Sequence, residues 1–137
     1  MSRFRSFLKY QAPALLWCIA IYALSAVPLV SRMKIPLRAD KLVHGVLYFV
    51  LCLLVWRAFH YQSRFSFLKN RALLSAFLFS CLYGLIDEIH QIFVPGRTPD
   101  IYDVVADGTG AFLAMLFFWW RRRDESRNAV QNAFDKG

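Results

Sequence analysis

The residues best suited to chemistry lie between Tyr83 and Gly110. This segment of 28 residues contains six charged side chains besides His90, namely Asp87, Glu88, Arg97, Asp100, Asp103 and Asp107. The chain on both sides is apolar enough to cross a membrane, where a charge at a helix centre costs about 2.5–3.5 kcal/mol on insertion scales. Charges that are kept beside or inside a bilayer usually serve a function, so this segment is a candidate functional site.

Three kinds of chemistry suit such a cluster of acids. Neighbouring carboxylates share protons, which suits acid–base catalysis or proton coupling, with Asp87, Glu88 and His44 as candidate catalytic groups. Three or more carboxylate oxygens suit Ca²⁺ or Mg²⁺, whereas the paired Cys or His spacing of a zinc site is absent. We assign no residue as a metal ligand, and the cofactor is unknown. Acids combined with basic and phenolic side chains also suit a polar head group or a peptide. The spacing contains no Ser-His-Asp or Cys-His nucleophile set.

Composition places the chain in a membrane. Of its 137 residues, 58% are hydrophobic, and the mean hydropathy is +0.37. A soluble domain of this size cannot bury so many apolar side chains. The net charge of +8 does not indicate a nucleic-acid partner, because the Lys and Arg residues cluster at the ends of apolar segments, as a membrane-topology signal does.

Four apolar segments predict an all-α protein, a bundle of four transmembrane helices. The predicted spans are residues 11–30, 42–60, 72–93 and 99–120, each near the roughly 20 residues that cross a hydrocarbon core. Residues 1–10 form a basic lead, 11–123 the membrane domain and 124–137 a polar tail. A cleaved signal peptide ending near Ala23-Leu24-Ser25 is the alternative for the first segment, but the apolar run continues to Val30 and favours a retained span.

Charge asymmetry predicts the orientation. With four spans, both termini and the connection after span two share one side, and that side holds 12 of the 17 Lys and Arg residues. The positive-inside rule makes this side cytoplasmic and predicts a multi-pass protein of the bacterial cytoplasmic (inner) membrane. The acids of the candidate site then face outward.

Helical spacing groups the polar residues into faces, since positions three and four apart are neighbours on a helix. Span four places Asp100, Asp103 and Asp107 on one stripe with Gly110, after a predicted start at Thr98 (N-cap) and Pro99. Polar faces turn inward because lipid cannot solvate them, so we predict a polar pocket lined by all four spans. The candidate ligand-binding residues are Asp40, Lys41, His44, Tyr48, Asp87, Glu88, Gln91, Arg97, Asp103 and Asp107.

Each candidate has a structural alternative. Asp40 can cap the second span, and Lys41 can extend its ammonium group to the membrane interface. Asp100 can complement the helix dipole, and Arg97 can pair with Asp100 or Asp103 in a solvated turn. The acids Asp87 and Asp107 are the hardest to explain structurally, because both lie inside apolar runs.

Two motifs resemble the VanZ-like family of small bacterial membrane proteins. They are DKLVHGVLYFVL (Asp40–Leu51) and LIDEIHQIFVPGRTPDIYDVVADGTGAFLA (Leu85–Ala114), with a looser match at LSAVP (Leu24–Pro28). The resemblance implies a multi-pass cytoplasmic-membrane protein, and the family's namesake is associated with teicoplanin resistance. Carried over by position, the motif residues are Asp40, Lys41, His44, Tyr48, Asp87, Glu88, Gln91, Pro95, Gly96, Arg97, Asp103, Asp107 and Gly110.

The main functional hypothesis is an outward acidic pocket that engages a cell-envelope ligand, such as a lipid-linked precursor or a glycopeptide. One alternative is a membrane-embedded hydrolase or transferase acting on a lipid-linked substrate, with Asp87 or Glu88 as the base. The other is a proton- or ion-coupled carrier, which would need an oligomer because four spans are few for a pathway.

Overall fold

A computed structural model describes residues 3–26 and 37–134, and this part of the chain is helical with short connections and no strand. The predicted end of span one at residues 27–30 and most of the connection after it lie outside the described residues. The helices are α1 (Arg3–Tyr10), α2 (Ala12–Ala26), α3 (Leu37–Tyr61), α4 (Ser66–Asn70), α5 (Ala72–Gln91) and α6 (Ile101–Phe134).

Four helical stretches are long and apolar enough to cross a membrane. They are Arg3–Ala26, Ala39–Tyr61, Ala72–Gln91 and Ile101–Glu125. Large apolar side chains on their outer faces remain exposed, for example Leu16 at 65% and Leu42 at 69%. Such surfaces suit contact with lipid chains, which confirms the prediction of an all-α protein with four candidate membrane spans.

The first span is interrupted between α1 and α2 by Pro13. Proline has no N–H group, so the carbonyl of Lys9, four residues earlier, loses its helical hydrogen bond. This carbonyl accepts instead from the Arg57 guanidinium at the far end of α3. Further along, Trp17 Nε1 donates to the Leu47 carbonyl at 3.0 Å, so side chain–backbone hydrogen bonds attach the first span to α3.

The start of α6 differs from the predicted one. The helix begins at Ile101, and the side chain of Asp100 caps it by accepting a hydrogen bond from the Tyr102 N–H at 2.9 Å. The prediction that Thr98 is the N-cap and Pro99 the first helical residue was therefore wrong. Asp is at least as good a cap as Thr, and Pro99 biases Thr98 away from helical backbone.

The end of α6 also extends beyond the predicted span. The helix continues through the Arg121–Arg123 run to Phe134, into the segment predicted as a polar tail. Arg121 pairs with Glu125 one turn later, with 3.5 Å between Nη2 and Oε1. Pairs at this spacing stabilise an exposed helix modestly, and charged side chains lose little freedom in a helix.

The bundle is tightest where α3 crosses α6. A Cβ atom added to Gly110 of α6 would overlap the backbone carbonyl of Gly45 of α3. Glycine is required here by the close approach of two backbones rather than by an unusual dihedral angle. The same crossing buries Ala111 and Ala114 of α6, so small side chains define this helix–helix interface.

We predict that Gly110→Ala destabilises the protein because the added methyl group forces α3 and α6 apart. Overpacking of this kind costs about 1–3 kcal/mol. The measurement is the thermal unfolding transition of the purified protein in detergent. Gly108→Ala is the matched control, since an added Cβ there meets no atom within 4 Å. Equal losses in both variants would contradict the role of the crossing.

Candidate functional site

The predicted polar residues meet at one end of the bundle, where α3 and α6 begin and α5 ends. Lys41 of α3 donates to Asp100 Oδ2 and to Asp103 Oδ1, which joins the first turns of α3 and α6. The Lys41 ammonium therefore does not simply extend to the membrane interface. The hydrogen bond from Lys41 holds the pKa of Asp100 below its ordinary value, so this carboxylate stays ionised at neutral pH and its ion pair is lost only as the pH falls through that lowered value.

His44 lies one helical turn deeper, between two acids of α6. Its Nδ1 atom is 3.0 Å from Asp107 Oδ1, and its Nε2 atom is 3.9 Å from Asp103 Oδ2. Asp107 is only 1% exposed. Gly84 of α5 makes room for it, because a Cβ at that position would lie 2.8 Å from Asp107 Oδ2.

The acids at the end of α5 have different environments. Glu88 Oε2 accepts a hydrogen bond from the Asp100 N–H at 2.9 Å, and its Oε1 accepts one from Gln91 Nε2 at 3.1 Å. Glu88 thus connects the end of α5 to the start of α6. Asp87 Oδ2 is 3.4 Å from Gln91 Nε2, and the Ser25 hydroxyl lies beside Asp87 without a hydrogen bond of good geometry.

A small cavity of about 90 Å³, lined by both apolar and polar side chains, lies between the spans at this end. Its polar lining consists of Ser25, Asp40, His44, Tyr48, Asp87, Gln91 and Arg97. The hydroxyl of Tyr48 is fully buried and has no hydrogen-bond partner among the described residues. A buried hydroxyl without a partner is uncommon, so Tyr48 keeps an unused donor and acceptor among the residues that line the cavity.

Arg97 differs from the structural alternative considered for it. Its guanidinium donates to the Leu24 carbonyl near the end of α2, with Nη2 3.3 Å from the oxygen, and no described salt bridge joins it to Asp100 or Asp103. A backbone carbonyl gives no sequence signal, so spacing could not predict this partner. Tyr83 makes a similar contact deeper in the bundle, where its hydroxyl donates to the Cys18 carbonyl at 2.7 Å.

One further group within the site has the composition of a metal-ligand set. One potential ligand atom each from Asp40, His44 and Asp103 lies within 4.8 Å of the other two. The set draws on two helices, so no local motif in the sequence indicates it.

We predict that Lys41 and Asp103 are energetically coupled, because Asp103 is buried and its charge needs the ammonium group. A double-mutant cycle with Lys41→Met and Asp103→Asn should give a coupling of about 1 kcal/mol or more. The free energy of unfolding is measured by SDS titration in mixed micelles. The same cycle on Arg121 and Glu125, which are largely exposed, should give about 0.5 kcal/mol or less. Equal couplings would contradict the prediction.

The sequence profile of the VanZ/LLP1 family matches residues 3–122. No curated protein sequence matches the chain, and no solved structure matches it. The matched range contains all four candidate membrane helices almost completely and every residue of the polar site. The resemblance seen in the motifs is therefore confirmed, and the chain belongs to the VanZ/LLP1 family.

Proposed function

We propose that this membrane protein binds one polar group of a cell-envelope ligand in the cavity between its spans. The observation that carries the proposal is the lining of that cavity. Residues from α2, α3 and α5 and from the connection before α6 bring a hydroxyl, two acids, an amide, an imidazole, a phenol and a guanidinium around one space. Placing polar groups within a membrane domain costs free energy, so their convergence around one cavity supports a binding function.

The size of the cavity limits what can enter it. Pockets that enclose a whole drug-sized molecule measure about 300–1,000 Å³, whereas this cavity measures about 90 Å³. The ligand therefore inserts a single group, while the rest of it lies outside the bundle. A lipid-linked precursor or a glycopeptide could present such a group.

The lining also indicates the chemistry of that group. Asp40 and Asp87 accept hydrogen bonds or balance a positive charge, which suits an amine or sugar hydroxyls. The Gln91 amide and the Tyr48 hydroxyl can both donate and accept. Sugars and amino groups occur in both proposed ligands, and such a group would find hydrogen-bonding partners among these side chains.

The distribution of charge supports access from outside the cell. The cavity lies at the end of the bundle remote from Arg3 and from the Arg121–Arg123 run, which belong to the side that carries most of the Lys and Arg residues. By the positive-inside rule, we propose that both termini are cytoplasmic and that the cavity opens at the outer surface of the bacterial cytoplasmic membrane.

We predict that Asp87→Asn abolishes the envelope phenotype without removing the protein from the membrane. The substitution keeps the shape of a cavity-lining side chain that is 5% exposed and removes its charge. The assay measures teicoplanin and vancomycin susceptibility of a sensitive host that expresses either form. We expect wild type to raise the inhibitory concentration of teicoplanin at least fourfold and the variant to leave it unchanged.

Membrane abundance must be matched by immunoblot, and Asp124→Asn at the other end of α6 serves as the control for the chemical change alone. If Asp87→Asn lowers abundance instead, Asp87 has a structural role. If wild type gives no protection, the glycopeptide part of the proposal is wrong for this protein, and direct binding of lipid-linked precursors becomes the test of the rest.

A second candidate function is hydrolysis or group transfer on a lipid-linked substrate. The observation that favours it is the His44–Asp107 pair, since a carboxylate on one imidazole nitrogen orients the other as a general base. His44 lines the cavity. Both carboxylate oxygens of Glu88 already accept hydrogen bonds, one from the Asp100 N–H and one from the Gln91 amide. His44 and Asp87 are therefore better placed than Glu88 to act on a bound group.

If the protein is an enzyme of this kind, His44→Gln should reduce turnover at least 100-fold, because a general base contributes about 10²–10⁴-fold. Purified protein is incubated with lipid-linked envelope precursors, and products are followed by mass spectrometry. Asp124→Asn should retain full turnover. Absence of product with wild type, or equal rates in both variants, would exclude His44 as the base.

A further inference from the structure

We propose that Asp40, His44 and Asp103 bind a divalent transition-metal cation at the edge of the cavity, which Asp40 and His44 line. This inference rests on the proposed function, because the cation would sit where the polar group of the ligand binds. The sequence suggested Ca²⁺ or Mg²⁺ on clustered carboxylates, whereas this set adds an imidazole and draws its ligands from two helices.

The geometry is close to that of a bound ion. The three potential ligand atoms lie within 4.8 Å of one another, and His44 Nε2 is 3.9 Å from Asp103 Oδ2. Zinc bonds of about 2.0–2.2 Å place neighbouring ligand atoms roughly 3.5 Å apart in a tetrahedral site. Small side-chain rotations therefore bring the three atoms onto one cation.

Neighbouring residues hold two of the three proposed ligands, His44 and Asp103, through hydrogen bonds. Asp107 contacts His44 Nδ1 at 3.0 Å, which favours the tautomer with the proton on Nδ1 and the lone pair on Nε2. A carboxylate in this position is a frequent outer partner of metal-binding histidines. Lys41 binds Asp103 Oδ1, so the Oδ2 atom remains available. The Asp40 carboxylate makes no hydrogen bond or salt bridge to a described residue.

The Tyr48 hydroxyl is independent support for a bound species. Tyr48 follows Asp40 and His44 on the same face of α3 and lines the same cavity. Its side chain is 0% exposed, and its hydroxyl is unpartnered among the described residues. Three protein ligands leave an open position on a tetrahedral cation, as in catalytic zinc sites. Because Tyr48 lines the cavity together with Asp40 and His44, its hydroxyl is available to a ligand that extends from that position into the cavity.

The chemistry of the ligands favours a transition metal. Asp40 and Asp103 supply carboxylate oxygens, and His44 supplies an imidazole nitrogen. Mixed imidazole and carboxylate ligands suit Zn²⁺ or Mn²⁺ better than Ca²⁺ or Mg²⁺, which prefer oxygen ligands alone.

The test is metal binding by the full-length protein, purified in detergent and stripped with chelator. Isothermal titration with Zn²⁺, and separately with Mn²⁺, should show one site per chain for at least one of them. Asp40→Asn is the decisive variant, because it removes a ligand that holds no other described partner, and it should weaken binding at least tenfold. His44→Gln should weaken it similarly.

Two controls separate loss of a metal ligand from loss of structure. Asp124→Asn should bind as wild type does, and circular dichroism should show that each variant keeps its helical content.

Absence of a site for either metal in wild type, or unchanged affinity in Asp40→Asn, would overturn the inference. Binding of lipid-linked precursor by metal-free wild type would then show that the proposed function stands without the cation. Normal metal binding without precursor binding would show that the cation site exists and that the proposed function is wrong.

Discussion

The close approach of α3 and α6 is the constraint on which the site depends. Because Gly110 has no side chain, its backbone can lie against the Gly45 carbonyl. This close approach lets Lys41 and His44 reach the acids of α6. A larger side chain at the crossing would separate the imidazole of His44 from Asp107, now 3.0 Å away. The small residues at the crossing therefore set the distances between the polar side chains of the site.

The polar contacts serve two purposes in this bundle. In lipid, helices gain little from burying apolar side chains against one another, so hydrogen bonds and close packing hold them together. Lys41 joins the start of α3 to the start of α6, and Glu88 joins the end of α5 to the same place. These contacts also surround the cavity, so substitutions in the site must be judged for stability as well as for function.

Within this arrangement, the acids divide into those that hold the structure and those that face the cavity. Asp100 caps α6 and Glu88 accepts the Asp100 N–H, which gives both of them structural roles. Asp40 and Asp87 line the cavity together with His44 and the unpartnered Tyr48 hydroxyl. This division leaves Asp40, Asp87, His44 and Tyr48 as the side chains best placed to meet a ligand. It agrees with the proposal of a small polar group or a cation.

The sequence by itself determined the membrane class, the four apolar helices and the faces on which polar residues fall, because hydropathy and the 3.6-residue repeat are local properties. It correctly placed Asp103, Asp107 and Gly110 on one stripe of α6. Only the tertiary structure decided which faces meet, since periodicity does not give the axial offset or rotation between helices. The Asp100 cap, the Arg97–Leu24 contact, the unpartnered Tyr48 hydroxyl and the grouping of Asp40, His44 and Asp103 all depend on that offset.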